Sequence, residues 1–343
     1  MTTPKPNWKV TLDGRDLTGL LRPRLIDLTV TSCREDNADQ LDIRLDDSDG
    51  KLAIPPRTAI LRVWLGWDGA LVDKGSFTVD EVEHAGAPDT LTLRARSADL
   101  RGELRAQREQ SYHATTCGDI VNQLAGRNGL TPRCHSDLAG EPVDHIDQTN
   151  ESDINFLNRL GKRFDAVATV KSGTLIFSPI GRGTTATGKP LPAITITRAI
   201  GDRHRWHAAD RNAYSGVRAK YQDLGAGRTG DVIAGVDDGR GVKILRHTYA
   251  TKSNALRAAR SEYQRLQRGI VSFGITLARG RADIYPEQHA TVHGFKTEID
   301  NEAWIVVRSS CLVTESGFTT SIELECKPES VDNAPESGGD VAK

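Results

Sequence analysis

Five stretches of this 343-residue chain pair residue type with a spacing that chemistry uses. Gly225-Ala226-Gly227-Arg228-Thr229-Gly230 matches G-x-G-x-x-G, in which a tight glycine turn lets backbone N–H groups meet a dinucleotide pyrophosphate. His204 and His207 flank Arg205-Trp206, and His289 and His293 stand four apart, the spacing of metal-binding histidines on one helical face. Asp46-Asp47-Ser48-Asp49-Gly50 has the acidic opening of a calcium loop. Cys117 precedes Gly118 at a predicted helix start, where the helix dipole favours a thiolate.

The surroundings of each argue for a plainer reading. A dinucleotide turn needs a helix opening at its end, and Asp231-Val232-Ile233-Ala234-Gly235 does not read as one. Glu287 to Val292 reads as a strand, on which residues four apart lie about 13 Å distant. The acidic run lacks the alternating ligands and the later glutamate of a calcium loop, so a solvated turn is expected. No histidine pattern marks Cys117 as a nucleophile, and a structural thiol is expected there. G-x-S-x-G, a P-loop and a paired-carboxylate motif are all absent from the sequence. No catalytic, cofactor-binding or metal-ligating residue is assigned, and no cofactor is expected. The expectation is an assembly protein that works by protein contacts.

Composition narrows the classes further. Lys plus Arg total 45 against 46 for Asp plus Glu, a formal net charge of -1. Wrapping nucleic acid needs an excess of cations to displace counterions, so specific nucleic-acid binding is not expected. Neither is attachment to an anionic membrane. Five cysteines (Cys33, Cys117, Cys134, Cys311 and Cys326) are scattered without a C-x-x-C pair, the usage of reduced thiols in a cytoplasmic compartment. The start, MTTPKPNWK, is no signal peptide, and no apolar run has membrane-spanning length. A protein made and assembled in the cytoplasm, without a membrane anchor, is the expectation.

The elements that would position these residues fall into blocks. Leu41, Ile43 and Leu45 alternate with Asp42, Arg44 and Asp46 as in a half-buried strand, and residues 61–67, 75–84 and 90–97 read the same way. Strands at such intervals predict a barrel or sandwich. Thr116 then predicts a helix cap, with Ile120, Val121 and Leu124 on one face and Gly129 at the end. A second helix starts at Ser152 or Asp153 and carries Ile154, Leu157, Leu160 and Phe164. Lys171-Ser172-Gly173-Thr174 predicts a hairpin turn. Residues 181–192 read as a linker, and the Gly- and Asp-rich stretch from Asp223 to Gly241 as a long, mobile loop. Ser253 is taken to cap a helix with Leu256, Ala259, Tyr263 and Leu266 on one side. Its Arg257, Arg260, Arg265 and Arg268 read as a solvated basic face and as a contact for an acidic partner subunit, and both can hold at once. Strands follow at 270–277, 287–292, 303–308 and 319–326, before a tail of disordered composition.

The C-terminal third carries an ordered series: His247-Thr248-Tyr249-Ala250-Thr251, the helix ending Leu266-Gln267-Arg268-Gly269, Arg281-Ala282-Asp283-Ile284-Tyr285-Pro286, Thr291-Val292-His293-Gly294-Phe295, Trp304-Ile305-Val306 and Gly317-Phe318-Thr319-Thr320-Ser321-Ile322. This series resembles the phage late control D family, the tail hub proteins of contractile-tailed phages and R-type bacteriocins. The same family is similar to the N-terminal part of type VI secretion spike proteins. Ser152-Asp153-Ile154-Asn155-Phe156-Leu157 resembles the segment between the two barrels of such hubs, and Ser111 to Leu130 resembles their LysM-like piece.

The resemblance implies an α+β, mainly β chain with two tube-like β-barrel domains bracketing a small α+β module. The implied divisions are residues 1–108 for the first barrel, 109–190 for the LysM-like module, 191–327 for the second barrel with helix 253–269, and 328–343 for the tail. It implies a homotrimer whose barrels make a pseudo-sixfold ring, joining a sixfold tail tube to a threefold central spike. Implied partners are that spike, the tail tube or tube-initiator, other baseplate proteins and the tape-measure protein. The particle, infectious phage or headless bacteriocin, would be assembled in the bacterial cytoplasm and keep the protein in its tail baseplate. The LysM-like stretch supports a second reading, a peptidoglycan-binding or cell-wall-degrading tail protein.

Overall fold

The structure is a computed structural model that describes residues 4–34, 38–97, 103–209, 214–223, 227–237 and 241–327. Gly225 and Ala226 of the glycine motif, and the tail from 328 onward, lie outside the described residues.

The first block contains β1 (Pro6–Leu12), β2 (Arg15–Asp16), α1 (Thr18–Leu21), β3 (Leu25–Cys33), β4 (Gln40–Asp46), β5 (Ile60–Trp67), β6 (Ala70–Ala85) and β7 (Thr90–Arg96). Period-2 alternation sets their faces: Leu41, Ile43 and Leu45 are buried, as are Leu91, Leu93 and Ala95 on the neighbouring strand. Their partners Asp42, Arg44 and Arg94 point to the other side.

The middle block contains β8 (Gln107–Thr116), α2 (Cys117–Arg127), β9 (Thr131–Cys134), α3 (Ser136–Ala139), β10 (Pro142–Ser152), α4 (Asp153–Phe164), β11 (Ala166–Lys171) and β12 (Thr174–Pro179). Both helix caps fall where the sequence places them. The Thr116 hydroxyl accepts from the Asp119 N–H, and that of Ser152 from the Asn155 N–H. Ser172 and Gly173 have φ of 47° and 71°, the left-handed pair that a two-residue hairpin turn demands. The buried faces of α2 and α4 close over β11 and β12 around Phe156, Leu157, Leu160 and Phe177.

The last block contains β13 (Ile194–Thr197), β14 (Gly201–Ala208), β15 (Gly216–Asp223), β16 (Arg228–Gly235), β17 (Val242–Tyr249), α5 (Lys252–Arg268), β18 (Val271–Leu277), β19 (His289–His293), α6 (Thr297–Asp300), β20 (Trp304–Thr314) and β21 (Gly317–Cys326). The stretch expected to be mobile loop holds β16 instead, paired antiparallel with β15 from Gly216↔Gly235 to Asp223↔Arg228. Its glycines are there for packing. A Cβ on Gly230 would lie 2.5 Å from the Tyr221 ring, and one on Gly235, at φ +87°, would lie 2.7 Å from the ring of Tyr263. The aromatic rings cover the strand where side chains are missing, so a strand reads as loop. With β17, the pair makes a three-stranded sheet, order β16-β15-β17, and α5 packs on it through Ala255, Ala259 and Leu266.

The two ends of the chain share one sheet. Thirteen strands run in the order β14-β18-β21-β20-β3-β4-β7-β6-β5-β1-β2, with β19 joined to β20 and β13 to β19. The join is β20 against β3, antiparallel from Arg308↔Cys33 to Thr314↔Asp27. The chain is mainly β with fewer helical elements, as expected. Among the described residues, no helix is long and apolar enough to cross a membrane.

Candidate functional site

The residues singled out from sequence are not brought together. Arg228 to Gly230 open a strand, so the glycine motif is not followed by a helix N-terminus. His204 and His207 lie on the exposed strand β14, where His204 packs against Phe295 at 5.0 Å between ring centres. His289 and His293 end the strand β19, and the His289 Nε2–H donates to the Gly181 carbonyl at 2.9 Å. The carboxylates of 46–49 hold their own turn: Asp46 accepts from the Ser48 N–H at 3.0 Å and Asp47 from the Leu52 N–H at 2.9 Å. Asp49 takes both Arg24 guanidinium nitrogens at 2.7 Å, and that cation holds its carboxyl well below the usual range. Among the described residues no three His, Cys, Asp or Glu side chains group as a metal ion would need. Cys117 is buried, and its pairing with Cys134, with burial adding, pushes its thiol up where a bare helix dipole would have lowered it.

What the fold does assemble is a buried charged junction that sequence reading missed. Arg34, just past β3, pairs with Glu287 and with Glu325 of β21. Glu325 also meets Arg268, the last residue of α5, at 3.4 Å, and Arg268 forks onto Asp165, with one arm at 2.6 Å. Asp165 itself caps α4 in the left-handed conformation. Five side chains therefore tie the shared sheet, the helix α5 and the middle block at one point. Burial pushes the Glu325 carboxyl up, and Arg34 and Arg268 oppose that only in part. For Arg34, burial works downward, but Glu287 and Glu325 outweigh it and raise the guanidinium.

Three of the four arginines of α5 meet acidic side chains of this chain. Arg257 donates to Glu141 at 2.6 Å, Arg265 to Glu262 at 2.6 Å, and Arg268 is buried in the junction. Their acidic partners are in the same chain. Arg257 and Arg268 left no local sign of this, because their partners are more than fifty residues away.

A second junction surrounds Lys74. It is the extra residue of a β-bulge, since Val63 opposes Gly75 and Trp64 opposes Asp73. Its ammonium donates to the Ala282 carbonyl at 3.0 Å and lies 3.9 Å over the ring of Tyr285. Burial lowers the Lys74 ammonium and pushes the Tyr285 hydroxyl up to about 12. The lysine serves as a clasp between β6 and the C-terminal chain.

At the surface, the end strand β14 stands out. Apart from its first residue it is exposed along its whole length, with Trp206 at 40% and the adjoining Ile200 at 40%. Arg203 sits at φ +44° in a bulge of this strand, and Arg205 follows. Charge and a bulge are the devices by which an open edge avoids indiscriminate pairing.

The chain is mainly β, and strands from both of its ends share one sheet. A profile described as phage tail baseplate hub (GPD) matches residues 20–317, and the chain belongs to that family. It is 44% identical over 378 aligned residues to the probable baseplate hub protein of Escherichia phage 186, covering 98% of this chain and 97% of that protein. The probable baseplate hub protein of Escherichia phage P2 is likewise 44% identical, with 96% of each chain covered. Among solved structures, the 43 kDa tail protein of prophage MuSo2 from Shewanella oneidensis has the same fold, with a TM-score of 0.70 at 16% identity, over 92% of this chain and 97% of that one. An Escherichia coli type VI secretion component, described as similar to the bacteriophage T4 tail proteins gp27 and gp5, shares the fold at a TM-score of 0.57 and 11% identity, over 89% of this chain and 74% of that one. The chain is a baseplate hub protein of a phage tail.

Proposed function

We propose that the chain works as a homotrimer, non-catalytically, forming a pseudo-sixfold ring that joins the sixfold tail tube to the threefold central spike. Residues 1–108 and 191–327 act as the two tube-like barrels of each copy, around the LysM-like module 109–190. Assembly takes place in the bacterial cytoplasm, and the ring then stays in the tail baseplate. Its neighbours there are the spike, the tube or tube-initiator, other baseplate proteins and the tape-measure protein.

The observation that carries this reading is the single sheet spanning both ends of the chain, with β14 exposed at one end and β1 and β2 at the other. Such a sheet has two different ends, and different ends suit a head-to-tail contact that closes into a ring. Full-length likeness to two phage hub proteins supports it.

The test is the mass of the particle at assembly concentration, alone and with a co-expressed spike protein. A trimer that binds one trimeric spike is expected. A strict monomer that ignores the spike overturns the proposal.

A further inference from the structure

The exposed face of the two-stranded sheet β8–β10 brings together two histidines that lie 32 residues apart in the chain. Register puts His113 of β8 directly opposite His145 of β10, and Ser111 directly opposite Asp147. Residues two apart on a strand share a face, so His145 and Asp147 stand side by side. The two imidazoles meet through their Nδ1 atoms, 3.0 Å apart. Their ring centres are farther apart, at 4.5 Å, with planes 25° from parallel, so the nitrogen edges of the rings converge. On the far side of its ring, the His145 Nε2–H donates to the Asp147 carboxylate at 3.0 Å.

The bond to Asp147 fixes what the pair can do. A proton on Nε2 leaves Nδ1 of His145 as the lone-pair nitrogen, turned toward His113. The Ser111 hydroxyl, with His145 adding, holds the Asp147 carboxyl below its ordinary range, so it is ionised at neutral pH. A carboxylate that orients an imidazole through its second nitrogen is the usual support of a histidine–metal bond. The spacing selects among metals. An ion about 2.0–2.1 Å from each of two nitrogens 3.0 Å apart would see them at roughly 95°. That angle suits the tetragonal sites of copper and nickel better than tetrahedral zinc.

We propose that His113 and His145 form a two-histidine site for a late first-row divalent cation, with Asp147 as the residue that positions His145. The proton on Nδ1 of His113 exchanges through solvent for one on its Nε2, so both Nδ1 lone pairs face the ion. Among the described residues no group of three such ligands is present, so water fills the remaining positions. The His145 and Asp147 side chains are 52% and 46% exposed, and the ion reaches the pair directly from solvent. It clamps a sheet of only two strands, an arrangement that is marginal by itself in water. Both ligands come from one chain, so the site forms with or without the proposed ring.

The experiment titrates untagged full-length protein with nickel chloride at neutral pH by calorimetry, and measures hydrogen exchange with and without the metal. One saturable nickel site per chain is expected. At free nickel ten times its dissociation constant, amides of β8 and β10 that open with the site should exchange about tenfold more slowly. His113→Ala and His145→Ala should each weaken binding by about tenfold or more. Asp147→Asn should weaken it by about tenfold while leaving metal-free exchange unchanged, as a positioning role requires. His204→Ala, on β14, should leave the affinity as it is. The absence of saturable binding below about 1 mM, or slowed exchange centred away from β8 and β10, overturns the proposal. So does an unchanged affinity in either variant that lacks a histidine of the pair. If a variant fails to fold, the exchange map of the wild-type protein decides.

Discussion

The seam between the two ends of the chain and the mounting of the three-stranded insert solve the same problem in different ways. At the seam, β20 and β3 pair strand to strand, and the first core is completed from the other end of the sequence by Ala282, Cys311, Val313 and Phe318. The insert β15–β17 has its own core, built largely from small residues such as Ala219, Ala234, Ala255 and Ala259. It is attached to the middle block through side chains of α5. Asn254 donates to Asp144 at 2.9 Å, Ser261 to the Arg163 carbonyl at 3.0 Å, and Arg257 to Glu141. A seam made of ladder and core unfolds with the whole molecule. A mount made of a few side-chain contacts can open locally, at a fraction of the global free energy. The difference separates what must hold a fixed geometry from what can adjust.

The largest expected effect is at the seam. Phe318 of β21 is 1% exposed and packs 5.7 Å from the ring of Trp67, whose indole N–H donates to the Gly280 carbonyl at 2.8 Å. Phe318→Ala removes a ring from a core that both ends build, and should cost about 3–5 kcal/mol. Denaturant unfolding followed at Trp67 and by far-UV dichroism should show one coincident transition moved to lower concentration. A cost below about 1 kcal/mol, or a C-terminal region that unfolds separately, would mean that the first core does not depend on the last strands.

A middle-sized effect distinguishes the insert. The Thr251 hydroxyl accepts from the Asn254 N–H at 3.3 Å and caps α5; Ser253, which the sequence suggested as the cap, bonds only to Thr251 at 3.0 Å. Thr251→Ala should cost about 1 kcal/mol. Hydrogen exchange should quicken in α5 and in β15 to β17 while β3 and β20 stay protected. Ser253→Ala should leave the pattern unchanged. Equal loss in the two variants, or loss spread evenly into the seam, would erase the contrast drawn here.

Legibility in the sequence followed the range of the interactions. Local rules placed the helix caps Thr116 and Ser152, the turn at Ser172 and Gly173, and the buried alternation of Leu41, Ile43 and Leu45, because each depends on residues within a few positions. The pairing of Thr31 with Ser310 joins residues 279 apart and has no local sign. The same holds for Arg34 with Glu325 and for Arg268 with Asp165. Strand β16 was missed for another reason: glycines at 230 and 235 make room for Tyr221 and Tyr263, and glycine is also the commonest sign of a loop. The basic face of α5 was visible as charge, but that Arg257, Arg265 and Arg268 pair with carboxylates of this chain was not.

The smallest effect tests the comparison through pH, because the two regions carry carboxylates of opposite tendency. In the insert, Glu262 of α5 accepts from Lys243 of β17 at 2.6 Å and from Arg265. Burial raises its carboxyl, but Arg265 and Lys243 outweigh that and leave it below its ordinary value of 4.5. A carboxylate depressed in the folded state contributes stability above the unfolded pKa, and that contribution is lost as pH falls through the folded one. At the seam, burial leaves Glu325 above 4.5, so its contribution has the opposite sign, present below the unfolded value and lost as pH rises through the folded one. Acidification below about 4.5 should therefore loosen α5 and β17 first, by less than about 1 kcal/mol given the partial exposure of Glu262. Hydrogen exchange referenced to unfolded-chain rates at each pH should resolve this, and Glu262→Gln should flatten the pH dependence of the insert alone. If the seam opens before the insert as pH falls, the junction around Arg34 and Arg268 holds Glu325 more tightly than its burial opposes, and the ranking of the two regions reverses.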